Sequence, residues 1–366
     1  MGKERDTNID IIKGTGIILM VGGHCGMPFT HFIYLFHMSI FFMASGFCFK
    51  SSNSDSVQSV LKFTGRKIKS LWIPYVLWTI IFTLLNNAFI KIGIYTENLV
   101  LAKQTSGVAL EVTHPLSSAE IMMNIIKAML LHGHTQLGSA LWFVATLMGI
   151  SLLYCVIDFI IKKNTNSVKI KLASQGAISI AMLALGYRCS LNDFVGGGIN
   201  RILSCYILFY IGAVLKLVNV PKKNEDKKYF YGSLVVSFFV LLLCNQVGSI
   251  ALDENQYKNP IFFLTSSICG WVFLYDIAQI LKKSKCVSEF LMSCGQNSMA
   301  VVVLHFLCFK VVSLIGVMFY KQPIGYIAAF PVLYENGMWW VAYLFTGIII
   351  PMLLSMLWKR IKAEMG

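Results

Sequence analysis

Apolar runs of about 17–25 residues recur along this 366-residue chain, each long enough to cross a hydrocarbon core of about 30 Å. They lie near 9–28, 31–49, 71–94, 140–161, 172–188, 200–219, 229–247, 260–281, 295–319 and 337–358. Lipid offers backbone N–H and C=O groups no partner, so runs of this length must satisfy their hydrogen bonds internally, as helices. Only 13% of the residues are charged, against roughly 25% in soluble domains, too few to coat a water-facing surface. The chain is therefore read as an all-α membrane protein, a bundle of about ten transmembrane helices forming one domain over 1–366.

The basic residues follow these runs in a regular way. Of 31 lysines and arginines, 22 fall before the first run, in or at the edge of alternate gaps, or after the last run, including Lys50, Lys62, Arg66, Lys67 and Lys69 and the group Lys162, Lys163, Lys169 and Lys171. The opposite gaps hold six: Lys91, Lys103, Lys127, Arg188, Lys258 and Lys321. By the positive-inside rule the richer segments are cytoplasmic, and an even number of spans puts both termini on that side. Topology thus accounts for the net charge of +14, with membrane lipids as the anionic partner and no nucleic acid expected. The first run carries no cleavable-signal pattern, because Asp6 and Asp10 interrupt its start. The ten cysteines include no CxxC pair and fall mostly within runs, so they read as reduced packing residues. The longest piece between runs, 95–139, contains an amphipathic stretch (Ile121, Met122, Ile125, Ile126, Met129, Leu130) suited to lying along the outer membrane surface.

Titratable residues inside spans are costly and mark where chemistry belongs. The first run holds Asp10, Lys13 and His24, the second His37, and the ninth His305 and Lys310. Asp158 and Asp276 lie near cytoplasmic ends, where water or lysines neutralise them. At about 1.5 Å per helical residue, His24 and His37 reach similar depth in the outer half of the membrane, and His305 lies near the midplane. Three imidazoles from separate helices then face one cavity. Neutral-range titration suits histidine to general-base work without a cofactor. No nearby carboxylate or thiolate spacing supports a metal, and His132 and His134 read as solvated loop residues. Gly22, Gly23 and Gly26 around His24, and Ala44, Ser45 and Gly46 after His37, suit close packing of the first two spans or approach of a ligand to backbone.

The opening Arg5-Asp6-Thr7-Asn8-Ile9-Asp10-Ile11-Ile12-Lys13-Gly14, with the run to His24, resembles integral-membrane acyltransferase family 3, which includes fucose 4-O-acetylase-like and surface-polysaccharide O-acetyltransferases. Leu35-Phe36-His37-Met38-Ser39, leading to Ser45-Gly46-Phe47, is similar to the family's Phe-His-Met-Pro and Ser-Gly motifs. Further echoes are Arg66-Lys67 before Leu71-Trp72-Ile73-Pro74-Tyr75, then Leu141-Trp142-Phe143, Arg201 with Tyr210-Ile211-Gly212, and Gly295-Gln296-Asn297-Ser298 before His305. Ser39 stands where the family usually has proline, which predicts a less kinked second helix.

The resemblance implies acetyl-CoA as a cytoplasmic co-substrate, with no permanently bound cofactor or metal. The acceptor is a hydroxyl of a carbohydrate or glycolipid, and the setting is a bacterial plasma membrane. Lys62, Arg66, Lys67 and Lys69 offer cations to the CoA phosphates, though the positive-inside rule also accounts for them. Asp10 and Lys13, three apart on one helical face, suit either an ion pair at the donor end or simple helix orientation. His24 is the expected general base and His37 its support; an acetyl-histidine intermediate stays open. Trp142, Arg201 and His305 are expected on the acceptor side, although an interfacial belt also explains Trp142. The competing class is a proton-coupled transporter or flippase using the embedded histidines and Lys310; the two halves of the chain lack the matching broken helices typical of carriers. A non-catalytic membrane sensor is the third class.

Overall fold

The computed structural model describes residues 6–98, 112–192, 196–218 and 227–365. Helices dominate, and the described strands are the two-residue pair Ile250–Ala251 and Gln256–Tyr257. Among the described residues nine helical segments are long and apolar enough to cross a membrane, so this is an all-α membrane protein. The first helix, α1 (Thr7–His24), is not one of the nine. Asn8, Asp10, Lys13 and His24 dilute its 18 residues, although Ile9, Ile11, Ile12, Ile17 and Val21 are buried.

The second run departs from expectation. In place of one helix over 31–49 the chain forms α2 (Thr30–Tyr34) and α3 (Ser39–Phe47), separated by turns over 35–38. The absence of proline does not keep this segment straight. The Leu35 and Phe36 amides donate to carbonyls three residues back, and the Ile33 carbonyl also accepts from His37. Ser39, in the proline's place, is buried, and its hydroxyl accepts from Ser267 Oγ at 2.8 Å.

The remaining helices are α4 (Val57–Lys67), α5 (Ile73–Lys91), α6 (Ser118–Met129), α7 (Trp142–Asn164), α8 (Val168–Asn192), α9 (Gly197–Leu217) and α10 (Lys227–Val247). They are followed by α11 (Pro260–Leu281), α12 (Lys285–Gln296), α13 (Ser298–Phe319) and α14 (Trp339–Met365). A π-helical turn, Ile68–Trp72, joins α4 to α5. Local signals start several helices. Asn259 accepts from the Phe262 amide and Pro260 opens α11, while Ser56 accepts from Ser59 N and caps α4.

The chain divides into two compact units. The first comprises 1–16, 31–72 and 142–292; the second comprises 17–30, 73–141 and 293–366. In the first, α3 lies against α9 by backbone contact, and α9 also packs on α7 and α8. A Cβ on Gly46 would come within 1.9 Å of the Phe209 carbonyl oxygen, and one on Gly212 within 2.0 Å of that of Met43. Glycine at both positions is therefore what lets the two helices touch. Gly46 thus packs against α9, where the sequence suggested the first span.

In the second unit α13 pairs with α14, and α5 packs on α6. The amphipathic stretch expected in the outer segment is α6, opened by a capping box in which Ser117 and Glu120 satisfy each other's backbone amides. Met122, Met123, Ile126 and Met129 are exposed on it.

Candidate active site

The second unit brings two of the sequence-nominated histidines together. His24 ends α1, and the turn after it is held by Gly26, whose φ is +70°. The Met27 amide donates to the Gly22 carbonyl, the six-to-one bond that closes a helix with a left-handed residue. A Cβ on Gly26 would also meet the Glu335 carbonyl oxygen at 3.1 Å, so glycine is required here by φ and by space.

His305 sits in the second turn of α13 with no exposed surface. Its ring stacks on that of His24, with centroids 5.5 Å apart and planes 27° from parallel. Nδ1 of His305 lies 2.9 Å from the Val301 carbonyl oxygen. A carbonyl can only accept, so Nδ1 carries a proton, and in the neutral ring Nε2 then keeps its lone pair. That Nε2 is buried without a hydrogen-bond partner. Phe306 and Phe309 enclose the pair, and Phe306 packs on Phe330 at 4.7 Å. The result is a neutral imidazole with an unused acceptor beside a second imidazole at a helix end.

Lys310, one turn and a half along α13 from His305, is 4% exposed. Its ammonium donates to the carbonyls of Ile327, Ala328 and Ala329 at 3.1, 3.2 and 2.7 Å. This fixes the segment carrying Phe330. Asn297, from the Gly-Gln-Asn-Ser echo, accepts from Ser355 Oγ and Lys359 Nζ and so ties α13 to α14.

The other nominated residues lie in the first unit. His37 is buried, its Nδ1 is 3.1 Å from the Ile33 carbonyl oxygen, and its ring stacks on Tyr34 at 4.9 Å. The same reasoning assigns the proton to Nδ1. Asp10 is buried, and the Lys13 ammonium reaches the Cys48 thiol at 3.8 Å. Arg66 donates to Asn53 Oδ1 at 2.7 Å, and Arg66 and Lys67 both lie over the Phe63 ring. Lys69 is exposed on the π-helical turn. The Arg201 guanidinium covers the Trp142 ring at 5.3 Å and donates to the Asp253 carbonyl.

Asp158 meets Lys162 at 3.3 Å, as the sequence suggested, and accepts from the Ser54 hydroxyl; Asp276 instead is buried and accepts from Ser233 Oγ at 2.6 Å. What sequence reasoning missed is that Lys162 also engages Asp55, Ser51 and Ser54, building a polar junction at the end of α7. Its only signal was Asp158 and Lys162 four apart.

No curated protein and no solved structure matches the chain. The sequence model of an acyltransferase domain matches residues 6–356, nearly the full length and both units. The match takes in α1 with His24, the broken second run with His37 and α13 with His305. The chain belongs to acyltransferase family 3.

Proposed function

We propose that this membrane acyltransferase is an O-acetyltransferase that moves acetyl from cytoplasmic acetyl-CoA to a hydroxyl of a cell-surface carbohydrate or its lipid-linked precursor. The observation that carries this is the stacked His24–His305 pair, with a buried imidazole whose tautomer is fixed and whose Nε2 lacks a partner. Acyl transfer to a hydroxyl needs a base near neutrality and little else from the protein's ionisable groups.

In the proposed reaction His24 accepts the proton from the acceptor hydroxyl as its oxygen attacks the thioester carbonyl. The tetrahedral adduct then collapses, the C–S bond breaks, and the imidazolium returns the proton to the departing thiolate. The products are the O-acetyl ester and CoA thiol. His305 backs the His24 ring and holds the acceptor, and His37 orients the acceptor or steadies the oxyanion. Arg66, Lys67, Lys69 and Lys13, the last with Asp10, are assigned to the donor, since cations suit the CoA phosphates. Trp142 and Arg201 are assigned to the acceptor, because a cation-backed indole offers a flat apolar face to a sugar ring. The basic segments and both termini face the cytoplasm, in a bacterial plasma membrane.

The test is transfer of radiolabelled acetyl from acetyl-CoA in membranes containing the chain, beside His24→Ala. Loss of a general base costs about 10²–10⁴-fold in rate. Label entering lipid-linked or polymeric sugar, and lost in an inserted His24→Ala protein, supports the assignment. Near-normal transfer by that variant removes His24 from the chemistry.

A further inference from the structure

The first unit contains a cavity of about 680 Å³ that none of the roles above uses. That size suits a ligand, since small-molecule sites run to about 300–1,000 Å³. Its walls are matching helical stripes. The end of α7 gives Tyr154, Asp158 and Lys162, spaced by four, and the start of α8 gives Val168, Lys171, Leu172 and Gln175, spaced by three and four. The end of α9 gives Ala213, Lys216 and Leu217, and the strand of chain after α3 closes the site with Phe49 to Ser52. These are the segments that the charge distribution puts on the cytoplasmic side.

Two observations point to an occupant. The first is the mixed lining, in which the apolar Phe49, Tyr154, Leu172 and Leu217 share the walls with four cations, Lys50, Lys162, Lys171 and Lys216. One carboxylate, Asp158, shares the lining and is already tied to Lys162 and Ser54. Lys216 donates to the Phe49 carbonyl, which holds the chain after α3 in place, and Lys50 is exposed. The cations therefore exceed the anions.

The second observation is Gln175. It is 2% exposed, it lines the cavity, and its Oε1 accepts from the Tyr206 hydroxyl at 2.9 Å. Its Nε2 has no hydrogen-bond partner. A buried amide N–H without an acceptor is costly, and this one belongs to a residue that forms the wall of a cavity.

We infer that this cavity binds a phosphate-bearing amphiphile, its phosphate held by Lys50 and Lys171 and a carbonyl oxygen along its chain accepting from Gln175 Nε2. Two kinds of molecule share that chemistry. An anionic glycerophospholipid of the inner leaflet has a phosphate and ester carbonyls, and CoA has phosphates and pantetheine amides. The site stands whether or not the acetyltransferase reading holds, because neither histidine contributes to it.

The experiment uses the full chain in phosphatidylcholine nanodiscs and titrates two probes separately, dioctanoyl phosphatidic acid and CoA. The variants are Lys50→Gln/Lys171→Gln, exposed and partly exposed side chains outside the packed core, and Gln175→Met. Saturable binding of either probe is expected, weakened about tenfold or more by the double lysine variant and further weakened by added salt. Gln175→Met should weaken it by a smaller factor. Binding of phosphatidic acid that the lysine variant loses identifies a lipid site, and CoA binding lost in the same variant moves the CoA phosphates to this cavity from Lys13, Arg66, Lys67 and Lys69. Saturation by neither probe, or binding by the lysine variant equal to that of the unaltered chain, overturns the inference. An acetyl-transfer assay that fails while phosphatidic acid still binds would count against the enzyme reading only.

Discussion

Replacing Gly46 or Gly212 with alanine tests the backbone contact between α3 and α9. A Cβ at Gly46 would lie 1.9 Å from the Phe209 carbonyl oxygen, 2.7 Å from its carbon and 3.0 Å from its Cα. A Cβ at Gly212 meets the Met43 backbone at 2.0, 2.7 and 2.9 Å. Contacts under 3.0 Å do not persist, and the opposing atoms are helix backbone, so no side chain can swing aside. The helices must therefore part by roughly 1 Å or more, which forfeits a quarter to a half of each dispersion contact along the seam. Overpacking of this kind costs about 1–3 kcal/mol, and the rigid partner places each single variant near about 3 kcal/mol. The two glycines lie about one turn apart on one antiparallel seam, residue 46 against 209 and 43 against 212. Once the first alanine has opened it, the second finds room. The double variant should thus cost about as much as either single, leaving a coupling of about 2–3 kcal/mol where independent sites show only about 0.3–0.5 kcal/mol. Unfolding in detergent, followed by tryptophan fluorescence for all four proteins of the cycle, measures this. Additive losses, or singles as stable as the unaltered chain, would refute the argument.

Three further outcomes follow from other contacts. Lys310→Met should destabilise the second unit by about 3–5 kcal/mol, because three buried carbonyls lose a charged donor, and Lys310→Arg should recover part of this; thermal unfolding in detergent reads both. If Trp142 and Arg201 present a sugar platform, Trp142→Ala should raise the KM for acceptor several-fold with kcat little changed, and an unchanged KM would assign the pair to packing alone. Ser117→Ala should fray the start of α6 by about 1 kcal/mol, seen as faster amide exchange. Hydrogen bonds from the Ser117 backbone and hydroxyl hold the Glu120 carboxyl down at about 2, against 4.5 ordinarily, so the contribution of the ionised carboxylate is full above the ordinary value and is lost progressively as pH falls from 4.5 to about 2; stability of the α6 start that does not change across that window would contradict this.

Helix positions were legible because spanning length and apolarity are local properties of the chain. The runs at 140–161, 200–219, 229–247 and 260–281 correspond to α7, α9, α10 and α11 within a few residues. The break at 35–38 was not legible, since it depends on amides reaching three residues back and on Ser39 meeting Ser267, 228 positions away. The motif echoes look different with the contacts in view. Ser45-Gly46 and Tyr210-Ile211-Gly212 meet each other between α3 and α9, so in both the glycine is explained by packing. His24 and His305 could be named from their cost in a membrane, but their stacking required the tertiary structure, and the cavity at Gln175 draws on four segments whose stripes are individually unremarkable.

The stacking of His24 on His305 joins residues 281 positions apart, and the second unit as a whole is assembled from the early, middle and late thirds of the chain. During synthesis His24 is made within the first helix, long before α13 exists. Most of the first unit, ending at residue 292, can assemble while the second still lacks α13 and α14. The imidazole pair therefore forms only after α13 has been made, and every nascent chain that stops short of it carries His24 alone. A polypeptide interrupted before α13 therefore lacks this pair however well its earlier helices insert.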